Sequence, residues 1–132
     1  MRCMLDTNIC IYLMKRQPPE VAARFARMHV GDAVMSAITL AELRAGIERD
    51  PGSAARNAVA LNALVELVLP VAFDVEAAAC FGAFPVGAGR RRDALDRLIA
   101  AHAVSLALPL VTNNEADFRV YPGLKTENWL AA

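Results

Sequence analysis

The chain has 132 residues, and its 14 basic and 14 acidic side chains give a formal net charge of zero. This length fits one domain with a single core, and the zero net charge excludes a global attraction to nucleic acid, so any such contact needs a local basic patch. Hydrophobic residues make up 56% of the chain, but no uncharged apolar run approaches the roughly 20 residues of a membrane span and no signal-peptide pattern opens the chain, so we expect a cytoplasmic protein.

The first quarter of the chain predicts two strands and two helices. An apolar run from Cys3 to Leu5 predicts a strand that ends at Asp6, and a helix follows at once from Asn8 to Lys15. A second helix is predicted from Glu20 to Met28. The apolar run from Ala33 to Ser36 is typical of a buried parallel strand.

The middle of the chain is mostly helical by pattern. Helices are predicted from Thr39 to Arg49, from Ala54 to Leu67, and from Asp74 through about Phe81. The apolar run from Val68 to Phe73 contains Pro70, which cannot donate to a sheet ladder. We therefore expect this run to form at best a short edge strand.

The last third returns to alternating elements. Gly82 to Gly89 is predicted to be a loop, and Asp93 to Leu108 has the strongest helical periodicity in the chain. A buried strand from Leu108 to Thr112, a polar loop from Asn113 to Phe118 and an edge strand from Leu124 to Glu127 complete the pattern. Strands that alternate with helices predict a three-layer α/β/α fold with a central parallel sheet, here as one domain over residues 1–132.

Four carboxylates fall where a predicted strand passes into a helix or just beyond a strand: Asp6, Glu42, Asp96 and Asp117. In a parallel sheet these positions share one edge, where open α/β folds bind their ligands. Converging carboxylates repel by about 4 kcal/mol per pair at 4 Å and an effective dielectric constant of 20, unless they protonate, separate or share a cation. Oxygen ligands select a hard divalent ion, so the pattern predicts a Mg²⁺ or Mn²⁺ site.

Each acid also has an ordinary structural explanation. Asp6 would serve as the N-cap of its helix, and Thr39 to Glu42 matches the capping-box pattern. Asp96 lies in the first turn of its predicted helix, where the macrodipole favours negative charge. Asp117 would turn a surface loop. Taken singly, none of the four specifies a metal site; the hypothesis depends on their convergence.

Four ordered segments resemble a PIN-domain ribonuclease, and the resemblance is closest to the VapC-type toxins of bacterial toxin–antitoxin pairs. They are Met4 to Asn8, Ser36 to Leu43, Leu95 to Ala103 and Leu110 to Asn114, with a similar ending from Pro122 to Trp129. The resemblance runs nearly end to end. It implies an α/β/α domain with an acidic pocket that binds Mg²⁺ or Mn²⁺, and a hydrolase that cleaves RNA endonucleolytically, often tRNA or rRNA.

The resemblance also assigns residues. Three side chains match the family's three acids: Asp6, Glu42 and Asp96. Asp117 matches a fourth, more variable acid, although some members carry an aspartate where this chain has Asn114, so the fourth ligand stays open between Asp117 and the region of Asn114 and Glu115. All four acids are expected to be catalytic and to bind metal. Neighbouring polar residues are expected to support them or to hold a water: Thr7, Thr112 and Asn114.

Five arginines near the third and fourth acids are candidates for binding RNA phosphates: Arg90, Arg91, Arg92, Arg97 and Arg119. For the run from Arg90 to Arg92, a solvated loop is an equal alternative. The mechanism needs no histidine, and His102, which lies on the apolar stripe of its helix, is interpreted as a packed core residue.

Partners follow from the resemblance as well. It implies a cognate VapB-type antitoxin whose tail covers the toxin's groove and acidic site, together with a toxin homodimer and a toxin–antitoxin hetero-oligomer. Apolar faces around Ile9 to Leu13 and Phe25 to Met28 are expected to be exposed for this contact. The span from Phe84 to Arg92 departs from the family because it replaces a longer helical segment, so the pocket wall near Asp96 and the dimer contact are expected to differ.

Two alternative functions remain. One is a PIN-like module that binds RNA without cutting it. The other is a receiver-type Mg²⁺-binding signalling domain, which is disfavoured because Asp6 has no second acid beside it and no lysine adjoins Thr112 and Asn113.

Overall fold

The structure, a computed structural model, describes residues 1–89 and 93–130. Its five strands form one sheet in the order β3-β2-β1-β4-β5, and every neighbouring pair is parallel. The strands are β1 (Cys3–Leu5), β2 (Ala33–Ser36), β3 (Leu69–Val71), β4 (Leu110–Val111) and β5 (Thr126–Glu127). The predicted parallel α/β sheet is confirmed. β3 is an edge strand, as Pro70 required.

The described residues also form seven helices: α1 (Thr7–Lys15), α2 (Pro19–Ala26), α3 (Ala37–Glu48), α4 (Ala54–Leu67), α5 (Val75–Ala83), α6 (Ala94–Ser105) and α7 (Glu115–Phe118). Over this part of the chain, none of the helices combines the length and apolar character that a bilayer crossing requires.

The sheet separates two hydrophobic cores. Cys3 and Leu5 pack into one core together with side chains of α1 to α4. Met4 packs into the other, together with side chains of α6 and α7. This division follows from the strand itself, in which successive side chains point to opposite faces. The fold therefore has the predicted three layers.

In the last third of the chain, two differences from the predicted elements have identifiable reasons. The predicted polar loop from Asn113 to Phe118 ends in the short helix α7, whose Phe118 is buried in the second core. The helix predicted to reach Leu108 ends at Ser105, because the chain turns through Ala107 at a φ of 55°. The helical periodicity continues to Leu108 in the sequence because Leu106 and Leu108 pack against the second core beyond the end of α6.

The first two helices do not expose the apolar faces that were predicted. Ile9 and Cys10 are fully buried in the first core, and Phe25 and Met28 pack against it. The prediction is wrong for Ile9 and Cys10, which cover the sheet, whereas Ile11 on the same helix is only partly buried.

Candidate active site

Asp6 lies directly after β1 and is fixed from several directions. Its backbone N–H donates to the Val111 carbonyl at 3.0 Å, which continues the ladder between β1 and β4 by one residue. Its carboxylate Oδ1 accepts from the Ile9 N–H at 2.9 Å, so Asp6 is the N-cap of α1. Only 5% of the residue is exposed. The N-cap role is therefore confirmed. The bond from Ile9 uses Oδ1 and does not involve Oδ2.

The pKa of Asp6 is raised above its ordinary value. Burial is the main cause, and the nearby charge of Glu42 adds to it; hydrogen bonds from Thr112 and from the backbone N–H groups of Ile9 and Asn8 oppose the shift. A buried carboxylate with a second acid nearby is more easily ionised when a cation is bound beside it.

Glu42 reaches the same place from the second strand. β2 ends at Ser36, whose hydroxyl accepts from the Ile38 N–H at 3.1 Å and caps α3. Glu42 therefore lies in the second turn of α3, and the capping-box interpretation with Thr39 is wrong. Its Oε1 instead accepts from the Thr7 hydroxyl at 2.7 Å, so α3 directs this carboxylate toward the start of α1.

Thr7 also lies 3.3 Å from the hydroxyl of buried Thr39. Thr7 has one hydroxyl hydrogen, and the closer, charged Glu42 carboxylate is a stronger acceptor for it than the Thr39 hydroxyl. The Thr39 hydroxyl is therefore the donor in the longer contact. Thr7, which was predicted to support the acids, thus donates a hydrogen bond to Glu42.

Asp96 lies in the first turn of α6 and is half-buried. Its pKa is raised to about 6, first by burial and then by the charges of Glu42, Asp93, Asp6 and Asp117. Among the described residues, the four charges that raise this pKa are all carboxylates, which agrees with the predicted convergence of acids. The ionised form of such a carboxyl group is stabilised by a bound cation more than that of an isolated surface aspartate is.

Three of the four predicted acids line one open cleft of about 480 Å³: Asp6, Glu42 and Asp96. Thr7, Asn8, Ile38 and Leu95 contribute to its walls, and one face of α3 forms its side. The cleft lies at the carboxyl ends of β1 and β2, which is the edge where a parallel sheet places its ligands.

Asp117 is not among the residues that line this cleft. It lies in α7, where its Oδ2 accepts from the Asn114 side-chain amide at 2.6 Å, and it influences the cleft through its charge on Asp96. Thr112 is fully buried after β4; its hydroxyl accepts from the Asn114 N–H at 3.0 Å and it also hydrogen-bonds Asp6. Asn114 therefore contacts Thr112 and Asp117.

The donor set fits a hard divalent ion. Within residues 1–89 and 93–130, no three His, Cys, Asp or Glu side chains are grouped closely enough to enclose a metal by themselves. Mg²⁺, however, is usually held by one or two carboxylates and completed by waters and substrate phosphates. Three carboxylates around an open cleft, two of them with raised pKa values, suit an ion of that kind.

The predicted RNA-binding arginines fall into three groups. Arg97 lies over the Phe81 ring at 5.9 Å, and its charge opposes the burial that raises the pKa of Tyr121, so its side chain is directed into the fold. Arg119 is exposed at the end of α7. The run from Arg90 to Arg92 lies outside the described residues.

One basic residue that was not predicted also lines the cleft. Arg49 follows the last turn of α3, and it is the only basic residue among the described lining residues. It lies seven residues after Glu42, and this spacing returns to the same helix face. That periodicity is the sequence signal that could have identified it.

His102 is buried, as interpreted from the sequence, but it is polar in its contacts. Its Nδ1 lies 2.8 Å from the Ser36 hydroxyl, and its ring packs edge-on against Phe73. Burial lowers its pKa, against the opposing effects of the Asp74 charge and a backbone hydrogen bond to Ala72. The imidazole thus joins α6, which carries Asp96, to the end of β2.

An apolar groove of about 220 Å³ adjoins the cleft between α1, α3 and α4. The two concave regions share Ile11, Glu42 and Gly46. Other apolar side chains complete the groove: Met14, Leu43 and Ile47. Ile11 belongs to the α1 face that was predicted to be exposed, so part of that prediction corresponds to this open apolar surface next to the acids.

The chain is similar over nearly its whole length to known ribonucleases. The family model of the PIN domain matches residues 3–124. The chain is 36% identical to the tRNA(fMet)-specific endonuclease VapC of Shigella flexneri, over 98% of each. It is 37% identical to Ribonuclease VapC2 of Haemophilus influenzae, over 98% of this chain and 99% of that protein. A chain in the crystal structure of DNA-bound VapBC from Salmonella typhimurium matches with a TM-score of 0.85 and 31% identity, over 98% of both chains.

Proposed function

This chain belongs to the PIN-domain family, and we propose that it is a metal-dependent endoribonuclease that acts as the toxin of a toxin–antitoxin pair. The carrying observation is the cleft in which Asp6, Glu42 and Asp96 meet at the carboxyl ends of the strands. Three acids on one sheet edge can hold a divalent ion of the kind that assists phosphodiester hydrolysis. Full-length relatives named as VapC ribonucleases support the same function.

The substrate we propose is RNA, and tRNA in particular. The Shigella flexneri relative is named for cleavage of tRNA(fMet) and aligns over 98% of this chain. The cleft is open rather than enclosed and therefore suits a polymer strand that enters and leaves it. rRNA is the other substrate class that the family resemblance implies.

The ion we propose is Mg²⁺, with Mn²⁺ as the alternative. Asp6 and Asp96 would hold it directly, and Glu42 and Asp117 would bind a second ion or the waters of the first. When bound, the ion supplies an activated water and neutralises the charge that develops on the phosphate.

The protein's own contacts prepare these acids. The Ile9 N–H occupies one oxygen of Asp6, and the Thr7 hydroxyl occupies one oxygen of Glu42. These bonds fix the orientation of each carboxylate, as the hydrogen-bonded partners of metal ligands do. Thr112 supports Asp6 in the same way.

The partner we propose is a VapB-type antitoxin, in a hetero-oligomer that includes a toxin homodimer. The structural relative from Salmonella typhimurium is a VapBC structure. The apolar groove beside the cleft suits an antitoxin segment that covers the acids at the same time, since the two regions share Ile11, Glu42 and Gly46. A protein of this function works in the cytoplasm, where its RNA substrate is found.

The decisive experiment uses the purified chain with labelled tRNA. Cleavage is expected with Mg²⁺ or Mn²⁺, and it should disappear in excess EDTA. Asp6→Asn and Glu42→Gln should lose at least about a hundredfold in rate. Glu48→Gln, an exposed change on the same helix as Glu42, is the matched control and should retain full activity.

Cleavage that persists in EDTA, or equal rates for Asp6→Asn and Glu48→Gln, would contradict the metal mechanism. tRNA binding without cleavage under any metal condition would instead favour the RNA-binding module.

A further inference from the structure

Arg49 breaks the charge pattern of the acidic cleft. Three carboxylates line this cleft, and within residues 1–89 and 93–130 Arg49 is its only basic lining residue. It is exposed just after α3, and the ion pairs of the described residues do not include it. An arginine without an ion pair among the described residues, at the edge of a cleft built around carboxylates, is available to an anionic ligand.

The geometry of α3 sets its distance from the acids. Arg49 follows Glu42 by seven residues, which at 1.5 Å per residue is on the order of 10 Å along the helix axis. Ala45 and Gly46 line the cleft between them. A side chain at Gly46 would meet nothing within 4 Å, so the path from the acids to Arg49 is open.

We infer that Arg49 binds an RNA phosphate that flanks the one being cut. This inference rests on the proposed function, because it takes the cleft as the path of the RNA strand. An RNA strand whose reacting phosphate lies at Asp6 and Asp96 continues past Glu42, and its next phosphate is repelled by that carboxylate. A cationic contact along α3 offsets that repulsion and fixes the register of the strand.

A protein partner fits Arg49 less well. A segment that neutralises the three carboxylates must bring positive charge to the cleft, and Arg49 would then repel the neighbouring part of that segment. An RNA strand has the opposite requirement, since it is negatively charged along its whole length. The charge arrangement thus favours phosphate at Arg49.

The test measures binding of fluorescein-labelled tRNA by anisotropy in Mg²⁺, at several salt concentrations and in an Asp6→Asn background. Arg49→Gln should weaken binding roughly tenfold, as loss of a charged hydrogen bond does, and should reduce the salt slope by about one. Arg49→Lys should keep the salt slope. Arg44→Gln, an exposed change on α3 away from the cleft lining, is the matched control and should match the parent.

Equal affinity and salt slope for Arg49→Gln and Arg44→Gln would overturn the inference. It would also be overturned if Arg49→Gln changed only the affinity for the antitoxin. Cleavage by the wild-type chain is scored separately, so failure to cleave would count against the proposed function while the binding comparison still decides the role of Arg49. Circular dichroism melts of all variants establish that each is folded.

Discussion

The Thr7 hydroxyl donates a hydrogen bond of 2.7 Å to the Glu42 carboxylate, and this bond joins the two helices that begin where β1 and β2 end. It fixes one acid relative to the strand that carries Asp6. The alignment of two acids that lie far apart in sequence thus depends on one hydroxyl group.

Thr7→Val should remove the bond that orients Glu42 while leaving the rest of the fold unchanged. Valine has nearly the shape of threonine but leaves Glu42 without its donor, so we expect kcat/KM for tRNA cleavage to fall by about 10- to 100-fold. Thr7→Ser keeps the hydroxyl and should remain within a few-fold of the wild type. Equal activities for the two variants would show that Glu42 does not need this bond.

Asp96 should make the metal-free protein less stable at neutral pH. Its pKa is about 6 in the fold, against an ordinary value of 3.8, so the folded state holds the proton more tightly than the unfolded chain. The protonated form therefore stabilises the fold at low pH. That stability is lost as the pH rises from about 3.8 to about 6.

It follows that Asp96→Asn should raise the Tm of the metal-free protein at pH 7.5 by a few degrees while abolishing cleavage. The gain should vanish near pH 4, where the wild-type carboxyl is also protonated. Glu76→Gln, an exposed change in the first turn of α5, is the control. A Tm difference for Asp96→Asn that is independent of pH would contradict the linkage.

The same carboxyl should limit metal binding in acid. Asp96 must lose its proton to bind a cation, so Mn²⁺ affinity should fall as the pH drops below about 6. Asp93 is one of the charges that raise the pKa of Asp96. Asp93→Asn should therefore shift the acidic fall in Mn²⁺ affinity to lower pH, as measured by Mn²⁺ titration from pH 5 to pH 8. An unchanged pH dependence would argue that Asp93 acts elsewhere.

Ser36 should contribute to stability through two partners. Its hydroxyl bonds the Ile38 N–H and the His102 imidazole in a fully buried position. Ser36→Ala leaves both unpaired and should lower the free energy of unfolding by about 1–3 kcal/mol in urea denaturation. Ser105→Ala removes a hydroxyl bonded only to the His102 carbonyl and should cost clearly less. The reverse order would contradict the assigned role of Ser36.

The acids near the strand ends were predictable from the sequence because local pattern alone determines their positions. Asp6 follows a short apolar run, and Asp96 opens a strongly periodic helix, so topology brings them to one edge. Glu42 was placed correctly at that edge but with the wrong local contact, since a capping box and a helix that begins three residues earlier share the same letters. The cap at Ser36 and the tertiary bond from Thr7 distinguish them.

Side chains fixed by distant contacts were not predictable. Arg97 looked like a phosphate ligand from its place beside Asp96, yet its guanidinium lies over the Phe81 ring. Arg49 was not among the predicted site residues, yet it lines the cleft. In both cases the charge was evident in the sequence, whereas the direction of a long side chain depends on neighbours that the local pattern does not contain.

The loop before α6 offers a last test, because Gly87 and Gly89 both have positive φ but different surroundings. At Gly89 an added Cβ would overlap the Tyr121 hydroxyl, whereas at Gly87 it would meet nothing within 4 Å. Gly87→Ala should cost only the backbone strain, about 1–2 kcal/mol, and Gly89→Ala should cost more. Tyr121→Phe removes the colliding oxygen, so Gly89→Ala should be less costly in that background than in the wild type. Urea denaturation of the four proteins of this cycle measures the coupling, and strictly additive free energies would mean that the loop moves away from Tyr121 at little cost.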